Sequence, residues 1–533
     1  MSRLVITWTP RGAGEYKSLL HDEREGGLTS SNGQRVLAIG IDSAEPTLIR
    51  ELIDRGELPA LGSLLDGGEW ALVDSGGDIG SGAVWPTFST GLDPTEHGMC
   101  SGWIWRPERM TCAGPGDDFL PDPFWASEAC ADRRVGVFEV PWMAPDGVRR
   151  GFEVLEWGPH DVSIGEPFVQ PAAAEAEVDA VGAHPFQALP EGPGNWTDKS
   201  SKERLSAGCV EGAKLRGDLA VRLLSETRPE LAVVVFSEVH HCAHYLWHTV
   251  EPDHALYAGR AFADQSVRPD LVDVYREVDT QVGRVIDAAG ADTAVMAFSL
   301  HGMTVGPGIP AILDPLLAAA GLSAPTKWDG LSWRDRAAAV MGTAKRRAPQ
   351  RLRRFYHRTT SHRTRFRVAG PTIVPPHDWS RTRAFSLPSD QRGFVRINLR
   401  DRESQGVVPR ADYDAMCEHV VDVLQSARSL DGEPLVRRVF RTAPGDTPPR
   451  HLPDLVVDWD DAAFADPARG RVGSAEFEAE PIRKEMSGQH TRQGFCILGE
   501  GLADGTTDGS VRGTDLHHFL LAGLGSEAVS AAG

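Results

Sequence analysis

The chain has no long apolar run, no paired cysteines and no surplus of positive charge. Nowhere in its 533 residues does a stretch approach the ~20 consecutive apolar residues that a bilayer-spanning helix needs. The first residues, MSRLVITWTPRGAGEYK, carry only a short apolar run before Pro and Gly interrupt it, too little for the core of a secretory signal. The seven cysteines (Cys100, Cys112, Cys130, Cys209, Cys242, Cys417 and Cys496) are odd in number, widely scattered and without a CxxC pair, a pattern of reduced thiols. These absences set the expectation of a water-soluble, cytoplasmic protein with no membrane partner. Acidic residues number 75 against 55 basic ones, a formal net charge of -20 that repels a nucleic-acid backbone and excludes a nucleic-acid polymer as the expected partner. An anionic substrate must therefore meet local positive charge, such as a bound metal. No GxxxxGK[ST] segment occurs, so a P-loop is excluded.

What is present is an α/β pattern. Residues 1–34 read as an N-terminal extension ending in the turn-forming SSNGQ, and the folded domain begins at Arg35. From there apolar strand-like runs (VLAIGI, RRVGVFEV, LAVVVFSEV, TAVMAFSL) alternate with helical ones such as PTLIRELIDRG and VDVYREVDTQVGRVIDAAG. Continuous apolar strands between amphipathic helices predict a mostly parallel sheet covered on both faces. Residues 305–380 break this pattern with Pro-rich and basic sequence, including the stretch 345–367, and read as an insertion or cap, either a solvated basic segment or an arm over an anionic substrate. After it, RAFSLPSDQRGFVRINL and LPDLVVDW return to strand-like patterns and are expected to complete the sheet, giving a main domain of 35–304 plus 381–533.

Ligands of parallel sheets gather beyond the carboxyl ends of the strands, and three runs end there in candidate metal ligands. Asp42 follows VLAIGI, where its competing role is to cap the next helix. His240 and His244 follow LAVVVF four residues apart, a spacing that puts both on one helix face and suits one zinc ion. His301 follows TAVMAFS, and His490 sits in the polar loop SGQHTRQG. Ser81 follows the Gly-rich GDIG and precedes a short helix, where backbone N–H groups favour an anion and an activated oxygen. Trp85, Tyr245 and Trp247 lie near these positions as candidate stacking surfaces for a planar group, against ordinary core packing.

Taken in order, these segments resemble the motifs of type I phosphodiesterases and nucleotide pyrophosphatases of the alkaline phosphatase superfamily, over most of residues 35–503. The resemblance implies an alkaline phosphatase-like fold, a hydrolase of phosphodiester or pyrophosphate bonds, a small phosphorylated or nucleotide-like substrate, and one or two zinc ions. By position, Asp42 corresponds to the first-strand ligand, Ser81 to the nucleophile that forms a covalent phospho-enzyme, His240 and His244 to D-x-x-x-H, Ser299 to Gly302 to S-D-H-G, and His490 to the late histidine. Two positions depart from the family. His240 stands where an Asp is expected, leaving a three-histidine site of His240, His244 and His490. Leu300 stands where the second Asp is expected, leaving the other ion with Asp42, Ser81 and His301 at most. Asp78 and Glu238 are candidate substitutes, and Leu300→Asp is expected to strengthen the weakened second site. The alternatives are a group transferase or a binding protein without catalysis. The sulfatase branch is disfavoured because neither a cysteine nor Ser81 stands in a C-x-P-x-R-like context.

Overall fold

The computed structural model describes residues 34–525 apart from 115–118, 144–147, 149, 161–166, 188–195, 197, 252–253, 255–266, 307, 327–369, 371–372, 390, 444–446, 466–467, 481–485 and 503–508. The N-terminal extension up to residue 33 and the basic stretch 345–367 therefore lie outside the described residues.

Nine strands form the central sheet: β1 (Arg35–Ile41), β2 (Glu69–Asp74), β3 (Val135–Phe138), β4 (Gly151–Leu155), β5 (Phe168–Gln170), β6 (Leu231–Phe236), β7 (Thr293–Ser299), β8 (Gln493–Leu498) and β9 (Ser510–Arg512). Their spatial order is β9-β2-β8-β7-β1-β6-β3-β4-β5. The five strands from β7 to β4 run parallel, while β8 runs against β7 and β2. The continuous apolar runs sit at the centre because both faces there are covered. Along β1, Leu37, Ile39 and Ile41 point into one core, and Val36 and Ala38 into the other. Strand β6 divides the same way, with Ala232, Val234 and Phe236 on the first face and Leu231, Val233 and Val235 on the second.

The first face is covered by α1 (Pro46–Asp54), α2 (Pro59–Asp66), α4 (Lys199–Thr227), α5 (Glu238–Leu246) and α6 (Leu271–Ala289). The second is covered by α3 (Val84–Thr90) and the helix Leu516–Gly523. Leu300, 1% exposed, belongs to this second core together with Trp85, Phe88 and Phe298.

The runs RAFSLPSDQRGFVRINL and LPDLVVDW, expected to complete this sheet, do not join it. Ala384–Leu387, Gly393–Ile397, Leu455–Trp459 and Val436–Arg441 form their own four-stranded antiparallel sheet. Its core is shared with helices Leu313–Ala319 and Tyr413–Ser426. The central sheet is closed instead by β8, β2 and β9. Among the described residues no helix is long and apolar enough to cross a membrane.

The register brings the ends of the central strands level, with Ile41 opposite Phe236 and Gly40 opposite Phe298. One buried ion cluster fixes the segments that leave those ends. The Arg216 guanidinium on α4 donates from Nε to Glu238 Oε1 (2.7 Å), from Nη1 to Glu139 Oε2 (2.7 Å), and from Nη2 to Gly158 O (3.0 Å) and Ser237 Oγ (3.1 Å). Glu139 in turn accepts from the backbone N–H groups of Trp157 (2.8 Å) and Gly158 (2.7 Å). His184 Nε2 lies 3.1 Å from Glu238 Oε1. Arg216→Met leaves the carboxylates of Glu139 and Glu238 buried without their cation. A loss of roughly 3–5 kcal/mol of stability is expected in denaturant unfolding, and Arg216→Lys should recover little of it because an ammonium cannot reproduce the planar fork. An unchanged unfolding midpoint for Arg216→Met would show that the cluster is not holding the turns.

Candidate metal centre and active site

Asp42 leaves β1 just beyond its last residue, its backbone N–H donating to Phe236 O at 2.9 Å. It does not cap the next helix. Glu45 does, accepting from the Leu48 N–H at 2.6 Å, and so the Asp42 carboxylate is turned inward at 1% exposure. Trp85 Nε1 donates to Asp42 Oδ1 at 3.0 Å. The indole reaches it by crossing β1 at Gly40, where a Cβ would stand 2.7 Å from its outer ring carbon. Trp85 is thereby committed to the core at 1% exposure, and Trp247 is buried at 7%. Neither offers a face for stacking, while the half-buried Tyr245 packs toward Trp196, ring centroids 6.2 Å apart.

The other carboxylate oxygen faces histidines. His240 Nδ1 lies 2.8 Å and His160 Nδ1 3.2 Å from Asp42 Oδ2, and His301 Nε2 lies 3.9 Å from Oδ1. Helix α5 carries His240 and, one turn later, His244 on one face, with their Nε2 atoms 2.9 Å apart. His244 Nδ1 is 3.2 Å from Gly488 O, a contact that fixes the ring with its Nε2 toward His240. His490 enters from the start of antiparallel β8. Its segment Gly488–His490 pairs with Met303–Val305 just after His301, setting the two imidazoles 4.4 Å apart by ring centroid. Ser43 Oγ lies 3.4 Å from His490 Nδ1.

Among the described residues two groups of donor atoms result, each within 4.8 Å: His240, His244 and His490 in one, and Asp42, His160 and His240 in the other. The structure thus brings together Asp42, His240, His244, His301 and His490, and adds His160, which the sequence reading missed. Ser81 is the first residue of the 3-10 turn Ser81–Ala83 that leads into α3, four residues before the Trp85 that touches Asp42. A Cβ on Gly82 would stand 2.8 Å from the Ser101 backbone, so this turn packs tightly under Cys100 and Ser101. The two proposed substitutes are occupied elsewhere: Asp78 pairs with Arg392 (3.4 Å) and Arg492 (3.1 Å), and Glu238 with Arg216.

The electrostatics suit cation binding. Burial alone would raise the Asp42 carboxyl, but the adjoining His240 and His160 imidazoles hold it well below the usual carboxylate range. Burial drives His244 down to about 3, helped by His240, and His301 to about 4 against the pull of Asp42. His490 is lowered by burial and then by His301 and His244. These rings are therefore neutral, the form that ligates metal. Asp42 Oδ2 is buried, and His240 Nδ1 and His160 Nδ1 approach it to 2.8 Å and 3.2 Å, so three donor atoms converge on one space. The residues fit a metal ion. Strain marks the same edge of the sheet: Ser43, Glu139 and Glu156, each just beyond a central strand, adopt φ of 60°, 62° and 57°.

The family model for type I phosphodiesterase / nucleotide pyrophosphatase matches residues 36–466. Among curated proteins none matches the chain. Among solved structures it is similar to phosphonoacetate hydrolase from Sinorhizobium meliloti 1021 in complex with phosphonoacetate, at 15% identity and TM-score 0.44, covering 92% of this chain and 96% of that one. It is also similar to human ectonucleotide pyrophosphatase/phosphodiesterase 5, at 11% identity and TM-score 0.45, and to an inactive murine form in complex with AMP, at 11% and 0.43; each covers 94% of this chain and 97% of the other. By its match over most of its length, the chain belongs to the type I phosphodiesterase/nucleotide pyrophosphatase family of hydrolases.

Proposed function

We propose that the chain hydrolyses a phosphodiester or pyrophosphate bond in a small phosphorylated or nucleotide-like substrate, depends on bound zinc, and uses Ser81 as its nucleophile. The observation that carries this reading is the convergence of Asp42 with five imidazoles at the carboxyl edge of the central sheet. Imidazole-rich donor sets favour zinc-like transition metals over magnesium or calcium, which prefer oxygen. His240, His244 and His490 would hold one ion. Bound zinc supplies Lewis-acid polarisation of a phosphoryl oxygen and a lowered pKa for a coordinated hydroxyl.

Ser81 would form the Oγ–P bond in line as the leaving oxygen's bond to phosphorus breaks, and water would later release the phosphoryl group and restore the hydroxyl. Its place at the start of a helical segment is of the kind that favours a phosphate. The Trp85–Asp42 bond ties that segment to the first strand. A reducing, cytoplasmic location is supported by the absence of any disulfide among the seven cysteines, all buried.

Ser81→Ala should cut turnover of a chromogenic phosphodiester by roughly 10³-fold or more while leaving the circular-dichroism melt in place; turnover near the wild-type rate would remove Ser81 from the nucleophile's role. For His244→Ala, elemental analysis of protein purified without chelator should show less zinc per chain, and equal zinc would remove His244 from the ligand set. Leu300→Asp is expected to behave opposite to the sequence-based expectation. It places a carboxyl among Trp85, Phe88 and Phe298, so it should cost at least ~3 kcal/mol in denaturant unfolding and add no zinc. A gain in bound zinc with unchanged stability would show that residue 300 faces the site.

A further inference from the structure

We infer that Asp42, His160 and His240 hold a second transition-metal ion, with the His240 ring, its N–H proton released to solvent, shared as an imidazolate between this ion and the one at His244 and His490. The inference rests on the metal-dependent reading above and extends it to a ligand, His160, that no motif indicated.

Three observations carry it. The nitrogens of His160 and His240 and one oxygen of Asp42 lie within 4.8 Å of one another, with Asp42 Oδ2 2.8 Å from one nitrogen and 3.2 Å from the other. The Trp85 indole occupies Asp42 Oδ1, so Oδ2 is the oxygen directed at the histidines. Both ring nitrogens approach that one oxygen, His240 Nδ1 at 2.8 Å and His160 Nδ1 at 3.2 Å. Finally, His240 presents both nitrogens to donors. Nδ1 faces Asp42 and Nε2 faces His244 Nε2 at 2.9 Å, so one ring stands between the two groups.

The segment bearing His160 is also built rather than incidental. Glu156 adopts a left-handed φ of 57°, its Oε2 accepts from the His160 N–H at 3.2 Å, and the Gly158 carbonyl is held by Arg216. A residue that only filled space would not need such anchoring.

The test titrates chelator-stripped full-length chain with Zn(II) alone, by calorimetry with elemental analysis of the dialysed product. Wild type should take up two ions per chain and His160→Ala one, whereas His160→Asp, which returns a ligand to the position, should take up two. Thermal melts confirm that each variant is folded. In Cu(II)-loaded wild type, an imidazole shared between the ions should couple their electron spins and diminish the ordinary Cu(II) resonance, and His160→Ala should restore an isolated signal. Equal zinc uptake by wild type and a folded His160→Ala would overturn the inference and leave His160 as a hydrogen-bonding neighbour of Asp42, with the hydrolase reading intact. Two ions with uncoupled spins would overturn the shared ring. Wild type that binds no zinc and hydrolyses unimpaired by chelator would overturn this inference and the metal-dependent reading together.

Discussion

The guanidinium of Arg216 is held entirely out of water, and the site depends on what that burial requires. A buried cation must satisfy its N–H groups within the protein or unfold it. Here the fork spans the Ser237–Glu238 corner that starts α5, Glu139 beyond β3, and the Gly158 carbonyl beyond β4. Those three segments come from parts of the chain 22 to 77 residues from Arg216. They set where His240 and His160 emerge, because Glu238 is two residues before the first and Gly158 two before the second. The ion cluster is thus less a source of net stability than a register device, aligning two strand ends so that their histidines meet Asp42.

At Asp42 a competition among roles was settled by its neighbours. An aspartate after a strand and before a helix is a natural cap, and Glu45 removes that duty. Gly40 admits the Trp85 indole across β1, and the indole then takes one carboxylate oxygen. Among the described residues, the remaining oxygen faces His240 and His160. Asp42 is the single carboxylate in the two donor groups, and the rest of each group is imidazole. Any dication bound there keeps excess positive charge, which a substrate phosphate neutralises, in a protein whose overall charge of -20 would otherwise repel anions.

Much of this was legible in the sequence wherever a local pattern records it. The continuous apolar runs of β1, β6 and β7 announced a buried parallel sheet, and Asp42, His240, His244 and His301 stood directly at the ends of those runs. The i, i+4 spacing placed His240 and His244 on one helix face. His160 left no such trace. It is one histidine in a turn, carried into place by contacts to Glu139 and Arg216 that lie far along the chain. Glu238 and Asp78 looked available because they neighbour ligands in sequence, yet arginines from distant segments claim both. Trp85 could be read as core packing or as a stacking surface, and nothing local reveals that its indole will donate to a carboxylate 43 residues earlier.

The second sheet shows the same limit from another side. Runs rich in apolar and β-branched residues such as GFVRI and LVVDW identify strands but not their partners, since every strand edge offers the same backbone groups. Partnering follows from which faces can be covered. Helices Leu313–Ala319 and Tyr413–Ser426 bury one face of the strands Ala384–Leu387, Gly393–Ile397 and Leu455–Trp459, which lets them close on each other. The central sheet must then take its remaining strands elsewhere, and it takes β8, whose direction opposes its neighbour β7. That reversal matters chemically. A parallel strand would have delivered its leading loop to the opposite edge, whereas antiparallel β8 begins at the carboxyl edge of β7 and sets His490 beside His301 and His244. The donor group at His240, His244 and His490 therefore exists because one strand of the sheet runs the other way.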